Sequence, residues 1–135
     1  MITDIKPEDV PWVLSLAHQR YHSFDPGGAL VALTSAMHEL SAIAWRTPHA
    51  FLVATIVRPL WNPNRPECHV LALCAEAGHH WEAARLLRQS REWAIDKQCA
   101  RWWFWSETEH RIGALAERVG AKLGAERYLI DFMEG

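Results

Sequence analysis

ECHVLALCAEAGHHWEAARLL, residues 67–87, is the stretch that decides the fold of this chain. Its first nine residues, Glu67 to Ala75, are apolar almost without interruption, as in a strand that is covered on both faces. A turn around Gly78 leads into a helix whose buried stripe is Ala83, Leu86, Leu87, Ser90 and Ala94. Arg101 to Ser106 is the next predicted strand, so residues 67–106 form a strand–helix–strand unit, which is a right-handed parallel crossover by default.

Helices and strands are also predicted on either side of this unit. Met1 to Ile5 indicates an edge strand, Ala50 to Val57 a buried strand and Ala125 to Met133 a last strand. Three further helices are indicated by apolar stripes: Val10, Val13, Leu14, Ala17 and Tyr21; Leu30, Leu33, Met37, Leu40 and Ala44; and Ile112, Leu115, Ala116 and Val119. Asp9 can cap the first of these helices. The predicted order is β-α-α-β-β-α-β-α-β, which indicates one α/β domain over residues 1–135 with helices on both faces of a mixed sheet.

Composition excludes several classes of function. The net charge is −2 and the pI is near 6.4, without the basic surplus that is typical of nucleic-acid binding. No apolar stretch is long enough to span a membrane, and the N-terminus lacks the layout of a signal peptide. Three cysteines without a disulfide framework favour a reducing cytoplasm. Cys68 and Cys74 are expected on one strand face, opposite His69, and no CxxC or HxxxH spacing links these residues with His79 and His80, so no metal site is predicted.

Tryptophan is unusually frequent, and four of the eight tryptophans lie between Trp93 and Trp105. Our first interpretation of Trp102 to Trp105 is a central strand buried on both faces. The second is a surface for homodimer formation, because tryptophan is enriched at interface hot spots. A base-stacking platform for nucleic acid ranks third, since the chain is acidic.

Three segments together resemble the GNAT N-acetyltransferase family over almost the full chain. Ile5 to Val10 resembles the family's first strand running into its first helix. Val70 to Leu73, with the turn and Ala83 to Leu87, is similar to its cofactor-binding strand, loop and helix, and Leu115 to Ala121 is similar to the helix before its last strands. The resemblance implies a GNAT-like three-layer fold with a splayed parallel pair, and acetyl-CoA as the cofactor.

The resemblance also implies where acetyl-CoA binds. The strand end would contact the pantetheine arm, and the start of the helix would bind the pyrophosphate through free amides and its partial positive charge. The residues concerned are Leu73, Cys74, Ala75, Gly78, His79, His80, Trp81, Glu82 and Ala83. The family's loop reads Arg/Gln-x-x-Gly-x-Gly/Ala; here Gly78, Trp81 and Ala83 occupy those positions, and only Ala83 matches.

The chemistry implied by the family is direct attack of an amine on the thioester. A backbone N–H near Leu73 to Ala75 would stabilise the oxyanion, and Glu76 or Glu107 would act as the base through water. His69 is also geometrically admissible as the base. The tyrosine that many members use as general acid is replaced by Ala116. The acceptor is a small-molecule or protein amine that the sequence does not identify.

A second hypothesis is a GNAT-fold protein that has lost catalysis and serves as a binding or structural module. Trp81 in the phosphate loop and Ala116 at the acid position favour it. Compact, divergent domains of this kind occur among phage proteins, including virion components, which the chain resembles.

Overall fold

The computed structural model describes residues 1–21 and 24–104. Its strands are β1 (Thr3–Asp4), β2 (Ala42–Arg46), β3 (Ala50–Val57), β4 (Glu67–Ala75) and β5 (Arg101–Phe104). Its helices are α1 (Val10–Arg20), α2 (Pro26–His38) and α3 (His80–Asp96), and a single 3-10 turn, Pro7–Asp9, precedes α1. The predicted fourth helix and last strand lie outside the described residues. In the described ranges no helix is both long and apolar enough to cross a bilayer.

The five strands form one mixed sheet in the order β1-β2-β3-β4-β5. The first three pairings are antiparallel, and β4 and β5 are parallel from Glu67 opposite Arg101 to Val70 opposite Phe104. The predicted strand–helix–strand unit with a parallel pair is therefore confirmed.

Helices cover both faces of the sheet, as predicted. α1 and α2 pack on one face around Val13, Leu33 and Phe51, and α3 packs on the other around Leu52 and Leu86. All five residues of the predicted α3 stripe are buried, because the apolar period of 3.6 residues keeps them on one side of the helix. Two layers of helix thus enclose the sheet that positions the candidate site.

The second helix is shorter than predicted. It ends at His38, Leu40 is 98% exposed in the following turn, and Ala44 belongs to strand β2. Residues 42–46 pair with β3, and Trp45 and Arg46 also pair with β1, so Ile43 and Ala44 face opposite sides of the sheet. Alanine-rich segments suit both a helix and a strand, and here hydrogen bonding to neighbouring strands favours the strand.

The prediction that Cys68 and Cys74 share a strand face is wrong. Val70 pairs with Ala54 and Ala72 with Val53, so Leu71 is an extra, unpaired residue in β4. This β-bulge shifts the side-chain alternation by one. Cys68 therefore packs on the α3 side and Cys74 on the α1–α2 side.

Asp9 stabilises the start of α1 differently from the cap that was predicted. Its carboxylate accepts hydrogen bonds from the Lys6 amide (2.9 Å) and from Nη1 of Arg46 (2.8 Å), and no α1 amide is bonded to it. The Lys6 hydrogen bond, and next to it the Arg46 charge, lower the pKa of the Asp9 carboxyl in spite of partial desolvation. Asp9 thus links the N-terminal turn to β2.

The tryptophans at the α3–β5 contact support the interpretation as core. Trp93 and Trp102 are half-buried and pack against the α3 side of the sheet, and the ring of Trp93 meets Trp45 edge-on at 6.5 Å. The indole Nε1–H of Trp102 donates to the buried Ser90 hydroxyl at 3.1 Å. Burial on both faces is not observed for β5, whose aromatic side chains are only half-buried, and Trp105 lies outside the described residues.

Candidate active site

Among the described residues, no strand pairs with the β5 side of β4 at Leu73. The Leu73 N–H donates a hydrogen bond to the Tyr21 hydroxyl (3.0 Å), and this hydroxyl donates to the Leu73 carbonyl oxygen (3.4 Å). Leu73 pairs with Leu52 on its other side, and the described pairing of β4 with β5 ends at Val70. A side-chain hydroxyl therefore occupies the backbone groups that a neighbouring strand would otherwise bind, as expected where two parallel strands diverge.

The bulge at Leu71 lies just where this opening begins. An extra residue bends a strand and increases its twist, and bulges are frequent beside active sites. Beyond it, the predicted contact residues Leu73, Cys74 and Ala75 complete β4. Burial raises the pKa of the Cys74 thiol to about 11, so this cysteine is an unreactive part of the core. The groups of this segment that can bind a ligand are therefore those of its backbone.

The loop after β4 exposes an anion-binding geometry at the start of α3. Gly78 has a φ of +84°, and apart from its chain neighbours no atom of the described residues lies within 4 Å of the place where a Cβ would stand. The amides of His79 and Glu82 bond to the carbonyls of Glu76 and His79. In the part of the chain that is described, the amides of His80 and Trp81 have no backbone acceptor, as is usual in the first turn of a helix. Free amides and the positive helix end point to an anion here.

Trp81 and His80, the bulky residues of this loop, turn their side chains outward. Trp81 is 58% exposed and His80 is exposed as well, so neither ring packs across the loop. Ala83, which matches the family's small residue, is buried against the sheet. The tryptophan at the family's glycine position is thus compatible with an accessible backbone.

Glu82 faces inward, unlike His80 and Trp81. Its carboxylate is 1% exposed; Oε1 accepts from the His49 amide at 3.0 Å, and Oε2 lies 3.0 Å from Nδ1 of His79. Desolvation raises the pKa of the Glu82 carboxyl, but hydrogen bonds from Thr47 and His49 and the charges of His49 and His79 outweigh it, so the pKa is lowered. Because the Glu82 side chain points into the protein, it is not exposed to a cofactor on the surface, although Glu82 was predicted as a cofactor contact.

The predicted bases are spread along β4. Glu76 directly follows the strand, is partly exposed, and its Oε2 lies 2.8 Å from Nδ1 of His49. His69 lies in the paired part of the strand, opposite Trp103, and its Nε2 is 3.1 Å from Oε1 of Glu67. Glu107 lies outside the described residues. Of the described candidates, Glu76 is nearer to Leu73 in sequence, whereas His69 lies in the part of β4 that is paired with β5.

A cavity of about 440 Å³ opens on the α1–α2 face beside the bulge. Its walls are mainly apolar, and Asp25 is the one carboxylate among the described residues that line it. Tyr21 and Ala72 also line it, so the cavity adjoins the open edge at Leu73. Residues that sequence reasoning missed are therefore Tyr21, which was assigned only to a helix face, and Asp25, which was assigned only to a turn.

Solved structures with similar folds include N-acetyltransferases. By sequence, no family model and no curated protein matches the chain. The apo aminoglycoside 6'-N-acetyltransferase AAC(6')-Ig from Acinetobacter haemolyticus is 15% identical, with a TM-score of 0.76 over 97% of each chain. AAC(6')-Iy in complex with the bisubstrate analogue CoA-S-monomethyl-acetylneamine is 13% identical, with a TM-score of 0.76 over 97% of this chain and 95% of that chain. Glucosamine-6-phosphate N-acetyltransferase from Arabidopsis thaliana is 10% identical, with a TM-score of 0.72 over 98% of this chain and 97% of that chain. At these identities the likeness is one of fold, and the chain has the fold of the GNAT acetyltransferases.

Proposed function

We propose that this protein is an acetyl-CoA-dependent N-acetyltransferase whose acceptor is a small amine with an apolar body. The observation that carries the proposal is the backbone edge at Leu73, which no described strand covers. Tyr21 reaches this edge from the wall of the apolar cavity, and the anion-binding loop follows a few residues later in the chain. These three features are what transfer from a phosphorylated carrier to an amine requires: a place for the phosphates, a polar backbone at the reacting carbonyl, and room for the acceptor.

The residues fit acetyl-CoA at two points. The space above Gly78 and the free amides of His80 and Trp81 would hold the pyrophosphate, because backbone can approach closely where no Cβ intervenes. The backbone of Leu73 to Ala75 would bind the pantetheine arm along the side of β4 that faces away from β3. Acetyl-CoA would supply the acyl group as a thioester, which the acceptor amine attacks.

At the reacting carbonyl, the Leu73 N–H is positioned to stabilise negative charge on oxygen. The Tyr21 hydroxyl accepts this hydrogen bond at 3.0 Å, so the thioester oxygen would replace an oxygen acceptor that the amide already has. Tyr21 itself is a candidate acid for the departing thiolate, since Ala116 stands where the family's tyrosine is expected. Glu76 would take the proton of the amine through water.

The cavity supports a small acceptor over a protein amine. A volume of about 440 Å³ falls in the size range of small-molecule sites. Asp25 at its wall would attract an ammonium group, and the Phe24 ring beside it offers an apolar surface to the rest of the molecule. An apolar lining is poorly matched to a heavily hydroxylated sugar, because buried hydroxyl groups need partners.

Calorimetric titration with acetyl-CoA and CoA tests the cofactor site. Two substitutions at one position serve as a matched pair: Gly78→Asn, which tolerates a left-handed backbone, and Gly78→Trp, which adds bulk over the amides. We expect micromolar binding in the natural protein, a modest loss in Gly78→Asn and loss of binding in Gly78→Trp, with both variants folded by circular dichroism. No binding at millimolar CoA would contradict the proposal and favour the non-catalytic module.

The acceptor site is tested by thiol release with a panel of amines. We expect aralkyl and alkyl amines to be acetylated in preference to aminoglycosides and lysine peptides. Asp25→Asn should raise KM for the amine while the affinity for acetyl-CoA is unchanged. Asp96→Asn, a matched change of an exposed aspartate at the end of α3, should leave both unchanged. Equal KM values for Asp25→Asn and the natural protein would contradict the role of Asp25.

A further inference from the structure

His49, His79 and Glu82 form a cluster that the proposed acyl transfer does not use. His49 lies in the turn between β2 and β3, His79 directly precedes α3, and Glu82 is in the first turn of α3. One ligand atom from each of the three side chains lies within 4.8 Å of the others. Two separate chain segments thus bring two imidazoles and a carboxylate to one point.

Two of these atoms lack a hydrogen bond. Glu82 Oε2 and His79 Nδ1 are buried and only 3.0 Å apart, yet in the described part of the chain neither has a partner in hydrogen-bond geometry. The other carboxylate oxygen of Glu82 is already taken by the His49 amide. The Glu82 carboxylate is 1% exposed, and its Oε2 faces Nδ1 of His79 across an ion-pair distance of 3.0 Å without hydrogen-bond geometry. A cation bound by both atoms would satisfy them.

The arrangement of the two histidines suits a shared ion. Their rings stack with centroids 3.8 Å apart and planes inclined by 23°, so the two imidazoles are direct neighbours. Nδ1 of His49 lies 2.8 Å from Oε2 of Glu76, which leaves Nε2 of His49 for another partner. A carboxylate that holds the second nitrogen of a ligating histidine is the usual outer shell of a metal site.

We propose that His49, His79 and Glu82 bind a divalent transition-metal ion of the zinc class, with Glu76 orienting His49 from outside. Imidazole nitrogen and carboxylate oxygen are ligands that Zn²⁺ accepts, and two histidines with one glutamate leave a fourth position open. The ion compensates the buried charge of Glu82. It also joins the β2–β3 turn to the start of α3, beside the loop that carries Gly78.

Nothing in the local sequence pointed to this site, and the lack of HxxxH or CxxC spacing among Cys68, His69, Cys74, His79 and His80 led to the opposite expectation. His49 and Glu82 are 33 residues apart, and only the pairing of β3 with β4 places the turn before β3 beside the start of α3. Spacing rules recognise ligands on one helix or hairpin, and these ligands come from two separate segments.

Zinc titration of the full chain, tag-free and without cofactor, tests this inference independently of the proposed function. We expect one ion per chain by calorimetry, and absorption bands of a four- or five-coordinate site when Co²⁺ replaces Zn²⁺. His79→Ala should abolish this binding, whereas His80→Ala, a matched change of the adjacent exposed histidine, should retain it. Glu76→Gln should weaken binding about 10- to 100-fold through the outer shell.

Two results would overturn the site. The first is failure of the natural chain to bind one Zn²⁺, and the second is an equal loss of binding in His79→Ala and His80→Ala, which would indicate surface histidines. Circular dichroism checks that the variants fold. Because Glu76 is half-exposed, Glu76→Gln is the substitution expected to disturb folding least. Because CoA is absent from every titration, loss of zinc binding leaves the proposed acetyl transfer unaffected.

Discussion

Deletion of Leu71 is the sharpest test of how β4 is built. Leu71 is the unpaired residue of the bulge, between Val70 opposite Ala54 and Ala72 opposite Val53. When it is removed, these two pairs become consecutive, and every other side chain of β4 keeps its face and its partner. The deletion is therefore expected to straighten the strand without moving Cys74 out of the core.

The magnitude follows from the exposure of Leu71, which is 56%. Full burial of a leucine is worth about 1.5–3 kcal/mol, so the deletion forfeits roughly 1 kcal/mol of burial. It also removes one ordered residue, whose backbone entropy costs about 1–2 kcal/mol on folding. These two terms nearly cancel, and the free energy of unfolding should change by no more than about 1 kcal/mol.

Urea denaturation followed by tryptophan fluorescence measures this change, with two comparisons. Leu52→Ala, at a fully buried position in β3, should cost about 2–5 kcal/mol. Deletion of Ala44, a smaller residue in the regular strand β2, should unfold the protein because it moves Ile43 or Trp45 to the wrong face. A loss above about 3 kcal/mol for the Leu71 deletion would refute the reasoning, since it would exceed the burial that Leu71 has to lose.

The same deletion separates stability from function. A straight β4 can stay beside β5 for longer, which would close the open edge at Leu73. We therefore expect the deletion variant to fold but to bind acetyl-CoA weakly in the calorimetric assay. A folded variant with unchanged affinity would show that the bulge does not produce the opening.

Three other outcomes are expected. Ser90→Ala should lower the free energy of unfolding by about 1–3 kcal/mol in urea, because the indole N–H of Trp102 loses its acceptor; an unchanged midpoint would contradict this. Burial raises the pKa of Cys68 to about 12 and that of Cys74 to about 11, so iodoacetamide at pH 8 should modify both thiols only after unfolding, as peptide mass mapping would show. The lowered pKa of Asp9 stabilises the folded state above the ordinary aspartate pKa, and this contribution is lost as pH falls through the folded value. The stability difference between the natural protein and Asp9→Asn should accordingly shrink on acidification, and a constant difference between neutral pH and pH 3 would disprove the linkage.

Much of the fold followed from local pattern. The apolar run Glu67 to Ala75 and the stripe from Ala83 to Ala94 predicted β4, α3 and their parallel connection, because burial on two faces and a period of 3.6 residues leave clear signals. Gly78 was predicted in the turn, and its φ of +84° explains why the strand and helix are separated there by a glycine.

Local pattern failed where two structures suit the same residues. Ala42 to Ala44 extends a helical stripe as well as it fills a strand, and only hydrogen bonding to β1 and β3 distinguishes the two. The bulge at Leu71 also leaves no signal in the sequence, because β4 is apolar on both faces and one extra apolar residue does not change that pattern.

The sequence by itself determined which segments are buried, where the chain turns and which strands run parallel, because these properties depend on the order of side chains along a few turns. Only the tertiary structure added residues that are distant in sequence to the sites. Tyr21 reaches Leu73 across 52 residues, and Glu82 reaches the turn at His49 across 33. Such contacts arise because buried polar groups must find partners wherever the packed sheet and helices place them, and no local rule records that placement.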